Sequence, residues 1–169
     1  MPDIIPSFHN LATIPNAQHW FGKLQLDMEL NRQAIRADHI NAMLTLIETS
    51  PPETDACIWA GHAFTTVWGV RPDLADTVMV QRSMNIAANH GHEAVRGAMQ
   101  RGLDTLFYTR PDLLDAANTI GLRELATRER NPLGQIACYN AFNRACKNRP
   151  DLGLQPLPHR GDEQYIRPA

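Results

Sequence analysis

Apolar residues recur along most of this chain at spacings of three and four, which is the period of an amphipathic helix. No stretch alternates with a period of two for long, so strands are not expected. The first such helix follows Asn16, a suitable N-cap, and its apolar positions are Trp20, Phe21, Leu24 and Met28. The pattern therefore predicts an all-α protein.

A four-residue word, Arg-Pro-Asp-Leu, recurs at residues 71–74, 110–113 and 149–152, each copy starting 39 residues after the one before. Such a period is typical of stacked helical or strand units. Units over 32–70, 71–109 and 110–148 then share four apolar columns. These are Ile35/Leu74/Leu113, Ile47/Ile86/Leu125, Phe64/Leu103/Phe142 and Val67/Leu106/Ala145.

Each unit also contains turn residues near its middle, at 50–52, 89–91 and 131–134. We therefore expect two helices per unit and a short array of about 3.5 units. The two-helix unit of this length resembles HEAT or armadillo repeats, although here the proline lies at the helix start. A compact helical bundle of duplicated hairpins is the alternative architecture.

The repeated word itself suggests a helix start. Thr109 is placed to cap the next helix, and Asp112, three residues on, is placed to return a bond to the cap. Pro111 then falls in the first turn, where its missing N–H costs nothing. Gly153, Pro156 and the following residues break the pattern. We expect an extended arm over 1–15, one helical domain over 16–152, and an extended or disordered tail over 153–169.

Composition narrows the class of protein. The 169 residues carry a formal net charge of −2, which does not favour a general nucleic-acid surface. No window reaches the length of a membrane span or of a signal peptide. Arginine outnumbers lysine fourteen to two. That bias fits a GC-rich bacterial genome, or a bacterial protein secreted into a host cytosol where few lysines limit ubiquitin attachment; a cytoplasmic location is the other expectation.

The sequence offers weak candidates for chemistry. His90, His92 and Glu93 could supply metal ligands, but a zinc site needs three or four and no further ligand motif is present. Cys138 and Cys146 fall in apolar columns and are expected in the core, whereas Cys57 shares a column with Arg96 and Gln135 and is expected near the surface. No cofactor and no catalytic residue is expected.

The non-core positions of the second helix in each unit form a polar stripe at spacings of three and four. They are His62, Thr65 and Gly69, then Arg101, Asp104 and Tyr108, then Asn140, Asn143 and Lys147. Stacked units would align these rows into one surface, which we call the second-helix face. We expect a non-catalytic protein that binds another protein or a peptide there, as an adaptor or an effector. A metal protein or enzyme using the His90–Glu93 turn is the alternative.

Overall fold

In the computed structural model of the protein, residues 22, 26 and 30–158 are described. Residues 31–158 contain six α-helices and no strand, so the predicted all-α class is confirmed. The helices are α1 (Ala37–Thr49), α2 (Asp55–Val70), α3 (Thr77–Asn89), α4 (Glu93–Thr109), α5 (Ala116–Arg128) and α6 (Pro132–Asn148). None of them is long and apolar enough to span a bilayer. The arm expected over 1–15 lies outside the described residues.

The helices are paired by short turns. Residues 50–54 join α1 to α2, 90–92 join α3 to α4, and 129–131 join α5 to α6, and the two helices of each pair pack together. The third turn lies earlier than the predicted 131–134. Asn131 caps α6 by accepting the backbone N–H groups of Leu133 and Gly134, and Pro132 is the first helical residue, where no N–H is needed.

Each copy of Arg-Pro-Asp-Leu contains a 3₁₀ turn, at Pro72–Leu74, Pro111–Leu113 and Pro150–Leu152. The predicted cap at Thr109 is therefore wrong. Thr109 ends α4 and its hydroxyl donates to carbonyls of that helix. The following helix is capped instead by Asp115, and α3 by Asp76, each of which accepts the N–H of the residue three positions on.

The arginine of each copy connects neighbouring turns. Arg71, Arg110 and Arg149 each donate to the aspartate two residues on, within their own turn. The remaining guanidinium nitrogen, Nη1, reaches the preceding turn and donates to main-chain carbonyls there. The acceptors are Arg32 and Ile35 for Arg71, Pro72 for Arg110 and Leu114 for Arg149. The arginine of the repeated sequence thus connects one hairpin to the previous one, because a planar guanidinium can bind on two edges at once.

The helices form two layers around a shared core. α2 packs on α4 and α4 on α6, while α1 packs less extensively on α3, and α3 on α5. We call the layer of α2, α4 and α6 the second layer. Small residues allow its helices to approach closely: a Cβ on Gly102 would lie 3.2 Å from the carbonyl oxygen of Phe64. Phe64, Leu103 and Phe142, one predicted column, are all fully buried between the layers.

The register of α1, the first helix of the first hairpin, differs from the prediction by one residue. The buried set His39, Ile40, Met43, Leu46 and Ile47 recurs 40 residues later in α3, and that set recurs after 39 in α5. Ile35 therefore corresponds to Ala75 and Leu114, which are buried after their 3₁₀ turns, and not to the half-buried Leu74 and Leu113. The longer turn over 50–54 accommodates the extra residue.

Residues 153–158 form neither a helix nor a strand and lie on α6. Gly153 leaves the last 3₁₀ turn in the left-handed conformation, with φ of 65°, which glycine adopts without strain. Leu154 and Leu157 then pack against the core. We call residues 153–158 the strap; the rest of the expected tail lies outside the described residues.

Candidate protein-binding surface

The predicted second-helix face lies on α2, α4 and α6. Gly69, Tyr108, Asn140 and Lys147 are exposed, whereas His62, Thr65, Arg101, Asp104 and Asn143 are half-buried. Because α4 packs between α2 and α6, the three rows lie on neighbouring helices of one layer.

Two of these side chains, Asp104 and Tyr108, meet Arg144 of α6, which is not among the predicted residues. Arg144 of α6 donates to Asp104 of α4 over 3.0 Å, and its guanidinium carbon lies 4.8 Å from the ring centroid of Tyr108. Burial raises the pKa of Asp104, and the charge and hydrogen bond of Arg144 oppose that rise. The tyrosine ring is 70% exposed and is supported from one side by a cation, an attractive arrangement for an aromatic ring. Asp104 therefore links α4 to α6, while Tyr108 is available to a partner.

The α2 end of the face is more closed. The ring of His62 lies 5.5 Å from that of Trp59. Burial lowers the pKa of His62, and the nearby charges of Arg101 and His92 lower it further, so the imidazole is neutral at pH 7. The Thr65 hydroxyl donates to the His62 carbonyl within α2. Among the predicted residues near α2, Arg101 is the one that presents a charge to a partner.

The strap contacts the α6 end of the face through its main chain. Asn143 Oδ1 accepts the Leu157 N–H at 2.8 Å, and Asn143 Nδ2 donates to the Leu157 carbonyl at 3.2 Å. Tyr139 donates its hydroxyl to the Pro158 carbonyl at 2.9 Å. Asn143, a predicted face residue, thus binds this segment of the chain through both main-chain groups of one residue, Leu157.

The charge of the face is positive. α6 contains Arg144 and Lys147 and no acidic residue. On α4, Asp104 is paired with Arg144, whereas Arg101 and Lys147 have no ion-pair partner in the described part of the chain. The local charge therefore opposes the net charge of −2 of the whole sequence.

The three candidate metal ligands, His90, His92 and Glu93, each contact a different side chain. His92 lies 3.7 Å from Glu53, and Glu93 accepts from Asn131 at 3.1 Å. His90 lies 3.3 Å from the thiol of Cys57. Among the described residues, no group of three or more His, Cys, Asp or Glu side chains is arranged to hold a metal ion.

Cys57 is fully buried, so the prediction of a surface position is wrong. It is covered by His90 from the next hairpin and lies 3.8 Å from the Ile47 carbonyl. Burial raises its pKa to about 11, which leaves the thiol protonated and unreactive at neutral pH. Cys138 and Cys146 are buried, as predicted.

Sequence patterns missed two residues of the surface. Arg144 lies in a column with Thr66 and Thr105, and Tyr139 in one with Gly61 and Gln100, so neither column carries a constant chemical type. The signal available was local: Tyr139 and Asn143 are four residues apart and precede a proline-rich segment, which is compatible with one helix face binding an extended chain.

Comparison of the chain with protein-family models, with curated proteins and with solved structures finds no match.

Proposed function

We propose that this protein is a non-catalytic helical-repeat scaffold that binds an extended acidic segment of another protein on the second-helix face. The architecture behind the proposal is a short α-solenoid of three hairpins, similar in design to HEAT or armadillo arrays. Matching helix bounds, the matching buried sets and the Arg-Pro-Asp-Leu contacts between successive turns support it. Such arrays present a continuous surface built from one helix of each unit.

The observation that carries the proposal is the strap on α6. Asn143 pairs with both main-chain groups of Leu157, and Tyr139 with Pro158, so the side of α6 next to this face already holds a non-helical segment through its main chain. Main-chain hydrogen bonds of this kind do not depend on the bound sequence. Specificity would come from the neighbouring side chains on α4 and α6.

The exposed groups on the face set the chemistry of the partner. Arg101 and Lys147 favour carboxylates. Tyr108 exposes a large ring that a partner can bury, and fixing its two side-chain torsions on binding loses little conformational entropy. A partner segment that is extended, acidic and apolar at intervals fits these groups. The rigid helices keep the ordering cost of the scaffold low.

The test compares protein capture by three forms of the full chain from one lysate. The first is the wild type and the second carries Arg101→Glu with Tyr108→Ala. The third carries Arg123→Glu, which makes the same charge change at an exposed residue of α5, away from the face. Asp104 is left unchanged because its loss would break the link to Arg144.

We expect the wild type and Arg123→Glu to capture the same protein, and the double variant to lose it by about tenfold or more in affinity. Far-ultraviolet circular dichroism establishes that all three forms are folded. Equal capture by the folded double variant would contradict binding at this face. Identification of the captured segment as basic would contradict the proposed partner chemistry.

A further inference from the structure

A cleft with a volume of about 600 Å³ lies between α3 and α5, in the first-helix layer and away from the second-helix face. Its walls carry side-chain amides from Gln81, Asn85, Asn89 and Asn118. Its end nearest the α3–α4 and α5–α6 turns carries Arg96, Arg128 and Arg130. The cleft thus carries amide groups along its walls, with apolar side chains such as Met84 and Leu125 between them, and guanidinium groups at one end.

The neighbouring groove, between α1 and α3, is closed by one arginine. Arg82 of α3 donates to Glu48 at 2.6 and 2.9 Å, to Asn41 at 3.0 Å and to Thr45 at 2.9 Å, all on α1. In α5 the residue 39 positions after Arg82 is Gly121. A glycine cannot bridge two helices, so the cleft between α3 and α5 follows from this difference.

The acceptors of the bridge change as well. Forty residues after Asn41, Thr45 and Glu48 are Gln81, Asn85 and Ala88, and all three line the cleft. Both members of the Arg82–Glu48 ion pair are therefore replaced by uncharged residues. The middle of the cleft is left with neutral amide groups, which donate and accept hydrogen bonds.

Arg96 is held at one end of the cleft and keeps unused N–H donors. Its Nε contacts Glu129 at 3.4 Å and its Nη1 donates to the His90 carbonyl at 2.8 Å. Nη2 has no hydrogen bond within the described part of the chain. A guanidinium held in place through Nε and Nη1, with Nη2 still able to donate, is preorganised to bind an oxyanion.

The acidic residues of the cleft do not cancel this charge. Glu129 is buried and accepts from the main chain of Arg130 and Asn131, from Gln100 and from Arg96, so its charge is already solvated by the protein. Burial alone would favour its neutral form, but these bonds lower its pKa. Glu124 remains, with a loose contact of 3.9 Å to Arg128.

We propose that this cleft binds a small polar molecule bearing one carboxylate or phosphate group. The anionic group contacts Arg96, with Arg128 and Arg130 at the same end, and the polar body bonds to the amides of Asn85 and Gln81. The site is independent of the second-helix face and of the function proposed for it.

The test follows the ¹H–¹⁵N signals of the arginine Nε groups in the full chain during titration at constant ionic strength. The probes are inorganic phosphate and acetate, which separate phosphate from carboxylate binding. Gly121→Gln fills the cleft without changing charge, and its new Cβ displaces only the terminal methyl of Met84. Arg96→Gln removes the anchored guanidinium. Arg123→Gln is the control, an exposed arginine of α5 outside the cleft.

We expect a saturable shift of the Arg96 signal with at least one probe, weakened about tenfold or more by Gly121→Gln. Arg96→Gln should abolish saturable binding, and Arg123→Gln should leave it unchanged. Saturable binding of unchanged affinity in folded Gly121→Gln, or an equal weakening by Arg123→Gln, would show general surface attraction and overturn the site. The proposal also fails if neither anion gives saturation.

Discussion

A single arginine in each Arg-Pro-Asp-Leu copy makes contacts on two edges of its guanidinium. Arg110 binds Asp112 within its own turn through Nε and Nη2, at 2.8 and 2.6 Å, and the Pro72 carbonyl through Nη1 at 3.1 Å. The aspartate fixes the plane of the guanidinium, so the third bond reaches the preceding turn without further ordering cost. Lysine, with one ammonium nitrogen, could not hold both contacts in this geometry.

The first prediction concerns Asp112→Asn. The bond from Arg110 lowers the pKa of Asp112 below its ordinary 3.8, so the ionised carboxyl stabilises the fold above that pH. That contribution is lost as the pH falls through the folded-state value. The pair is partly exposed, so we expect the variant to lose about 0.2–1 kcal/mol of unfolding free energy at pH 7.

Urea unfolding of both proteins at pH 7 and at about pH 3 measures this difference, which should shrink at the lower pH. Glu124→Gln is the matched control, because its contact with Arg128 is 3.9 Å long and exposed. A loss of the same size at both pH values would show that the carboxylate charge does not stabilise the turn.

At the scale of helices, Gly134 and Gly121 differ in how much space a side chain would have. A Cβ on Gly134 would collide with the Gln100 side-chain oxygen and lie 3.2 Å from the Gly97 Cα. Gln100 cannot move aside easily, because its amide donates to Ala87 and Glu129. Gly134 therefore permits α4 and α6 to touch, whereas Gly121 faces only the flexible end of Met84.

We predict that Gly134→Ala lowers the free energy of unfolding by about 1–3 kcal/mol, through overpacking between α4 and α6. Gly121→Ala should instead raise it by about 0.4–1 kcal/mol, because alanine restricts the unfolded chain and favours the helix. Urea denaturation of the two variants provides the comparison. Equal destabilisation by both would mean that the α3–α5 groove is packed as tightly as the α4–α6 contact.

The strap lies on the side of α6 that corresponds to the α6-facing side of α4. On α4, the positions matching Tyr139 and Asn143 are Gln100 and Asp104, and these lie against α6. On α6 they bond to the strap. A non-helical segment thus covers a surface that a helix covers elsewhere.

We predict that Asn143→Ala releases the strap while the helices remain folded. The Leu157 amide should then exchange with deuterium at least about tenfold faster, since its acceptor is removed. Asn140→Ala, an exposed neighbour on α6, is the control and should not change that rate. Unchanged exchange at Leu157 in Asn143→Ala would contradict a strap held by this side chain.

For the whole molecule, the proposed array implies uneven stability. α4 packs against second-layer helices on both sides, whereas α6 has a helix on one side and the strap on the other. Stability in stacked arrays is approximately a sum over neighbouring contacts.

Native-state hydrogen exchange should therefore show slower exchange in the middle of α4 than in the middle of α6, by about tenfold or more. The measurement also separates the two architectures. A closed bundle unfolding as one unit would give equal protection in both helices, and that outcome would contradict the open array.

The sequence by itself determined what depends on neighbours along the chain. Apolar spacing of three and four gave the helices, and prolines and glycines marked the hairpin turns, because both reflect local backbone geometry. The columns Phe64/Leu103/Phe142 and Cys138 were placed in the core correctly, since a helical period fixes which residues share a face.

Only the tertiary structure decided contacts between residues far apart in sequence. It connected the repeated arginine to the preceding turn, buried Cys57 beneath His90, and paired Asp104 with Arg144. It also shifted the register of α1 by one residue. Local patterns specify the face a side chain occupies, but its partner depends on how the hairpins stack, which no single segment encodes.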